Sequence, residues 1–394
     1  MNPSTNALIQ QLTQLHPQMV SHRRHLHMHP ELSFHEETTP AYIADFLESL
    51  GLSVRRNVGG RGVVVDISGN QPGKTVALRA DFDALPIHEE NDVTYCSQTP
   101  GVMHACGHDG HTASLMAVAQ VLSENRDAFQ GTVRFIFQFA EEVAPGGALP
   151  MIADGALEDV DAIFGNHFLP SLPVGTYGYK PGISMGNADD FKVIIRGKGG
   201  HGAAPHQTID PIVVAAQAVV NLQTIVSRRI NPLSPAVISV GKLEAGVAFN
   251  VIADSATLVG TVRTLDVAVQ DFIIQEMHNV LAGTCQMAGA TYELAYNKGY
   301  PVVNNSVPET QLVYDTVTQL VSADDVHLLE PFMGGEDFAY YLQQVPGSFF
   351  NTGCGNVEKG MTWPLHHPKF DLDEDALLHA AKGLLSVALA YLAG

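Results

Sequence analysis

Cysteine is scarce: Cys96, Cys106, Cys285 and Cys354 are the only four in 394 residues. So few, so scattered, cannot form a disulfide framework, and each thiol has to be read singly. Basic residues are also short, with 21 Lys plus Arg against 41 Asp plus Glu and a formal net charge of −20. Such a field repels phosphate backbones and anionic lipid, which argues against a nucleic-acid partner or a membrane surface. Long apolar runs are missing too; the richest windows, near residues 211–222 and 385–392, are too short to span a bilayer. Residues 1–19 have neither the basic start nor the continuous apolar stretch of a signal peptide, so a cytoplasmic location is expected. What remains is 45% hydrophobic and 16% charged, the balance of a packed globular chain long enough for two domains.

Leu8, Leu12, Leu15 and Met19 recur at helical spacing, and a second helix is expected over residues 40–50, with Gly51 placed to cap it. Short β-rich runs follow at residues 63–67, 75–80, 132–139 and 162–166, with a helical pattern at 112–122 among them. Strands alternating with helices predict an α/β domain on a mainly parallel twisted sheet flanked by helices. Beyond Pro181-Gly182 the order becomes strand (191–196), helix (210–227), strand (236–243), strand (256–263), helix (267–287), strand (291–296). That is the β-α-β-β-α-β order of a ferredoxin-like α+β sandwich. Helical patterns resume at 307–321 and 374–392, with an apolar strand-like stretch at 348–351. The expected organisation is a domain of residues 1–184 and 297–394 interrupted by a smaller one of residues 185–296.

Metal-ligand side chains gather where expected strands end or in Gly/Pro-rich turns, the places where open α/β sheets bind ligands. Asp81 and Asp83 close one strand; alone, they could equally cap a helix. Met103-His104-Ala105-Cys106-Gly107-His108-Asp109-Gly110-His111 offers thiolate and imidazole, a donor set suited to zinc. Glu141-Glu142 ends another strand, and adjacent carboxylates can divide metal binding from proton transfer, although a solvated acidic turn is the commoner arrangement. His167 and the pair His366-His367 are weak singly; jointly these places offer more ligands than one tetrahedral ion uses, which implies two metals. The His-rich tract His22, His25, His27, His29 and His35 lies at a helix end without a thiol or a carboxylate pair, and is read as structural.

The motifs Arg79-Ala80-Asp81-x-Asp83-Ala84-Leu85-Pro86, His104-Ala105-Cys106-Gly107-His108-Asp109, Ala140-Glu141-Glu142 and His366-x-Pro368 resemble those of the aminoacylase/carboxypeptidase family of dinuclear metallohydrolases. The likeness is closest to its amidohydrolase branch of hippurate hydrolases, N-acyl-amino-acid deacylases and auxin-conjugate hydrolases. It runs in order from Arg23-Arg24-x-x-His27-x-x-Pro30-Glu31-Leu32 through Gly197-Lys198-Gly199-Gly200-His201 to Gly335-Glu336-Asp337-Phe338. The resemblance implies that Cys106, His108, Glu142, His167 and His366 hold two divalent metals. Cys106 favours zinc, with manganese, cobalt or nickel as alternatives. It implies that Glu141 is the general base and that Asp83 orients the metal site. Asp81 stands where other branches carry a metal-binding His, with Cys106 taking that part here. In the inserted lid and dimerisation domain, His201 matches a residue that polarises the scissile carbonyl in a partner subunit, while Asn250 and Arg263 match substrate-holding positions. Phe139 departs from the Pro that many relatives place before Ala-Glu-Glu. The implied activity is hydrolysis of an N-acyl amino acid such as an N-acetyl or N-benzoyl derivative, by a homodimer or homotetramer. Rival expectations are a dipeptidase or carboxypeptidase, an N-acetyl-diaminopimelate deacetylase, and a non-catalytic metal- or ligand-binding relative.

Overall fold

The computed structural model describes residues 3–394, and its contacts separate two compact units. The larger comprises the chain up to Ser184 together with Asn304–Glu330 and Asp337–Gly394; the smaller is Met185–Val303 with Pro331–Glu336.

An eight-stranded sheet forms the larger unit. In chain order its first strands are β1 (Val54–Val58), β2 (Gly62–Ser68), β3 (Thr75–Asp81), β4 (Thr132–Gln138), β5 (Ala162–Pro173) and β6 (Tyr177–Tyr179). Spatially the order is β1-β2-β4-β3-β5, then Gly347–Gly355, β6 and Val326–Leu328. The central four, β4, β3, β5 and Gly347–Gly355, run parallel, while β1, β2 and β6 pair antiparallel with their neighbours β2, β4 and Gly347–Gly355. Central strands covered on both faces need continuous apolar runs, and β3 and β4 are buried along all but their first residues. Because these strands share a direction, the chain leaves β3 and β4 at the same edge of the sheet, carrying Asp83 and Glu141-Glu142 there.

Four helices precede or follow the first strands: α1 (Pro3–Gln14), α2 (His16–Met28), α3 (Thr38–Ser49) and α4 (His108–Glu124). The N-terminal helical pattern is split at Leu15, because Pro17 in the first turn of α2 has no N–H to continue the ladder. Helix α4 starts at His108 rather than 112, from a Gly107 N-cap at φ 89°, a left-handed conformation that favours glycine. It is buried almost throughout and packs against α2 and the Asp375–Ala393 helix. That last helix is longer than its apolar window suggested. Its 19 residues could cross a bilayer by length and composition, but 67% of its apolar window is buried inside this fold, where Leu377, Leu384, Leu385 and Val387 enter the core.

The smaller unit is an antiparallel sheet in the order Ala236–Ala245, Ser255–Thr264, Ala188–Arg196, Thr291–Tyr300. Helices Pro211–Thr224 and Val267–Ala288 pack together and on the sheet, closing a separate core around Phe191, Val193, Leu222, Leu258 and Ile273. Asp210 and Asp266 cap the two helices by accepting the N–H of Ile212 and Ala268.

Candidate metal centre

Strand β3 ends in Asp81, and Asp83 follows two residues later; both are buried. Between them they grip His108 from two sides. His108 Nδ1–H donates to Asp83 O at 3.0 Å and to Asp83 Oδ1 at 3.2 Å, while its Nε2 lies 3.7 Å from Asp81 Oδ2. Asp83 is itself fixed, its Oδ2 accepting Ser33 Oγ–H at 2.7 Å and the Glu142 N–H at 2.9 Å. Burial opposes the charge, but the His108, Glu142 and Ser33 contacts together hold the Asp83 carboxyl below its usual range.

Facing His108 Nε2 are the two carboxylates that follow β4, Glu141 Oε2 at 4.0 Å and Glu142 Oε1 at 3.9 Å. His366 Nε2, from the loop after Gly347–Gly355, lies 3.3 Å from Glu142 Oε1. Its backbone is held at φ 65°, with its N–H donating to Ala105 O at 2.8 Å. On the other side, His167 Nε2 lies 3.4 Å from Cys106 Sγ. His167 Nδ1–H donates to Phe168 O at 2.7 Å, which leaves the lone pair on Nε2. Burial keeps that imidazole neutral well below its ordinary pKa.

Each of three sets, Cys106 with His108 and His167, Cys106 with Glu142 and His366, and His108 with Glu141 and Glu142, places its ligand atoms within 4.8 Å of one another. These donors fit divalent cations. His108 Nε2 and Glu142 Oε1 are buried with no hydrogen-bond partner among the described residues, a costly arrangement that coordination would relieve. Burial, followed by Glu142 and Glu141, pushes the Cys106 thiol well above its ordinary pKa; a cation at Sγ would favour the thiolate instead. Burial alone would lower His108, yet Asp81, Asp83 and Glu142 raise it to about 10. The proton at this site therefore occupies a place that suits a positive ion.

Asp81, His108 and His111 also lie close together, but Asp81 is already engaged. Its Oδ1 accepts His111 Nδ1–H at 2.6 Å and its Oδ2 meets Arg79. His111 Nε2 in turn accepts the Phe168 N–H at 3.0 Å, and its ring lies 4.6 Å from that of His167. Arg79 continues to Asp337 Oδ1 at 2.9 Å, and Asp337 Oδ2 accepts the Ala148 N–H beyond the Glu141-Glu142 turn. Sequence reasoning left this supporting chain unassigned. Its legible signs were Arg79 and Asp81, two apart on a strand and so on one face, and the motif that contains Asp337.

Cys106, His108, Glu141, Glu142, His167, His366 and Asp83 thus come together in the larger unit. His201, Asn250 and Arg263 belong to the smaller one. There His201 pairs with Val251, and Gly202 N–H donates to Asn250 O at 2.8 Å, so His201 and Asn250 are neighbours. Both are exposed. Arg263 is half-buried and donates to Asp189 O and Val262 O. Of the His-rich tract, His27 enters a buried network with Asp109 and Glu89, and His22 Nδ1–H donates to the Tyr42 hydroxyl oxygen at 2.6 Å while its Nε2 accepts from the Gln18 amide. Phe139 packs edge-on against Phe34.

A sheet edge collecting thiol, imidazole and paired carboxylates is the site of a metal-dependent hydrolase. Residues 77–390 match the profile of peptidase family M20/M25/M40. The Bacillus subtilis (strain 168) protein YhaA, which carries the name amidohydrolase as a provisional assignment, is 54% identical over 95% of this chain and 94% of its own. An N-acyl-L-amino acid amidohydrolase of Geobacillus stearothermophilus is 47% identical over 73% of this chain and 78% of its own. The crystal structure of Bacillus subtilis YXEP, described as a dinuclear metal-binding peptidase of the M20 family, superposes with a TM-score of 0.84 at 37% identity, covering 97% of this chain and 99% of that one. The chain belongs to peptidase family M20/M25/M40 and is a metal-dependent amidohydrolase.

Proposed function

We propose that this amidohydrolase cleaves the amide bond of N-acyl amino acids, with Cys106, His108, Glu142, His167 and His366 holding two divalent cations and Glu141 serving as general base. The observation that carries the reading is the division of the Glu141-Glu142 pair. Glu142 Oε1 meets both His108 and His366, and Glu141 Oε2 lies 4.0 Å from His108 Nε2. The name of the Geobacillus relative supports the acyl-amino-acid substrate.

Cations bound there supply Lewis acidity, polarising the scissile carbonyl and acidifying the attacking water. Glu141, 6% exposed, is sheltered enough to hold a proton between steps. It takes the proton from the water and returns it to the departing amine. Asp83 fixes the His108 tautomer so that Nε2 faces the site. For His201, Asn250 and Arg263 the proposed roles, carbonyl polarisation and a grip on substrate carboxylate and carbonyl, rest on their motifs, as does a homodimer or homotetramer.

The test is release of free amino acid from N-acetyl, N-benzoyl and N-indole-acetyl amino acids and from dipeptides, using chelated enzyme with zinc, manganese or nothing restored. Metal-restored cleavage of the acyl amino acids is expected. Cleavage of dipeptides alone overturns the substrate assignment. Glu141→Gln should keep its bound metal while turnover falls by about two to four orders of magnitude; equal turnover removes Glu141 from the role.

A further inference from the structure

The segment of residues 31–36 touches both turns that carry the reacting groups. Glu31 O accepts the Ala84 N–H at 2.8 Å, and Leu32 bridges to Ala84. Ser33 Oγ–H donates to Asp83, and the Phe34 ring meets Phe139 edge-on at 6.0 Å. The Glu31 carboxylate receives the N–H groups of Glu37, Thr38 and Thr39, which ties the segment to the start of α3. Most telling is Glu36, which is fully buried. Its Oε1 accepts the Ala140 N–H at 2.8 Å. Its Oε2 is buried without a hydrogen-bond partner among the described residues, 4.0 Å from Arg61 Nε.

Ala140 sits at φ 51°, a left-handed conformation unfavourable for a residue with a Cβ. It is the hinge at which the chain leaves β4 and presents Glu141 and then Glu142. A left-handed alanine persists where its surroundings over-determine it, and the Glu36 bond is the side-chain contact to its N–H. We propose that Glu36 is a positioning residue that locks the Ala140 turn and thereby aims Glu141 and Glu142 at His108. The assignment rests on the reading of Glu141 as general base. A buried carboxyl with one oxygen unpartnered is expensive to keep, and its cost is explained if the other oxygen fixes the turn. Burial, with Asp83 next, holds this carboxyl up to about 8, so at neutral pH it is mainly uncharged and glutamine reproduces its hydrogen-bonding carbonyl.

The experiment compares Glu36→Gln, Glu36→Ala, Ala140→Gly and the Glu36→Ala/Ala140→Gly double variant, with Glu141→Gln alongside. Turnover and retention of metal against a chelator are read in each. Glu36→Ala should lower kcat roughly ten- to a hundredfold with KM changed less, and should lose metal faster. Glu36→Gln should remain within about threefold of the parent. Ala140→Gly, which removes the conformational penalty, should recover part of what Glu36→Ala loses; simple loss of core packing would not be recovered that way. An unimpaired Glu36→Ala, a Glu36→Gln as damaged as Glu36→Ala, or no recovery in the double variant each overturns the proposal. If Glu36→Ala does not fold, Glu36→Asp, which withdraws the carboxyl by one methylene, must lose turnover that Ala140→Gly restores. Activity surviving in Glu141→Gln sinks the general-base reading. An inactive Glu141→Gln beside an unimpaired Glu36→Ala sinks the Glu36 assignment alone.

Discussion

At Cys106 and His108 the proton and the cation compete for the same atoms. Burial and the Glu142 and Glu141 carboxylates keep the thiol protonated, and the raised pKa of about 10 keeps His108 protonated at neutral pH. Cation uptake should therefore release protons, and affinity should fall as pH falls. Calorimetry in two buffers of different ionisation enthalpy checks this; equal apparent heats contradict it. A second titration involves His22, on α2. Burial, then His25, lowers its pKa to about 4 from an ordinary 6.5. The folded form thus resists a proton that the unfolded chain accepts. Its contribution to stability is intact above about pH 6.5 and is lost as pH falls towards 4. In His22→Phe, the decline of the urea midpoint across that window should be shallower than in the parent.

Strands and helices explain which parts of the site could be read early. The runs in β3 and β4 are dense in apolar and β-branched residues and end abruptly in carboxylates, so both their existence and the placement of Asp83 and Glu141-Glu142 followed from pattern alone. Strand β5 was legible only to Asn166, yet it continues to Pro173. Its second half carries Pro170, Ser171 and Pro173 and is held by register with Gly347–Gly355, information that no local window contains. Ser33 and Glu36 were invisible, and Asp337 stood in a motif without a role, for the same reason: each acts on a residue 50 or more positions away. Tight packing within β5 gives this scale its prediction. A Cβ on Gly165 would lie 2.7 Å from the Phe349 ring and 2.9 Å from Phe338. Gly165→Ala should cost about 1–3 kcal/mol, seen as a lower thermal midpoint, while Gly241→Ala serves as a comparison where a Cβ meets nothing within 4 Å.

For the whole molecule, a net charge of −20 describes the surface and not the site. Cations are drawn towards this chain, and the clustered carboxylates at the sheet edge deepen that attraction. Binding to the folded form alone adds stability by mass action, about 2.7 kcal/mol for one site at a hundredfold excess over Kd. Because all five proposed ligands lie in the larger unit, chelation should raise hydrogen exchange around residues 83, 106–108, 140–142, 167 and 366. Exchange in the Ala188–Arg196 and Ser255–Thr264 strands should stay unchanged. Uniform loss of protection in both units argues against that ligand set.

His366 also fixes a timetable. Four of the five proposed ligands are made by residue 167, and the last arrives about 200 residues later, after the ribosome has produced the whole smaller unit. At ~5–20 residues per second that interval lasts roughly 10–40 s. During it the chain also lacks Gly347–Gly355, the strand that pairs with β5 beside His167. Ions captured then can be held by at most four of these side chains and can still exchange with the surrounding pool. The proposed five-ligand set is therefore complete only once the final loop docks on Ala105, after the smaller unit has been made.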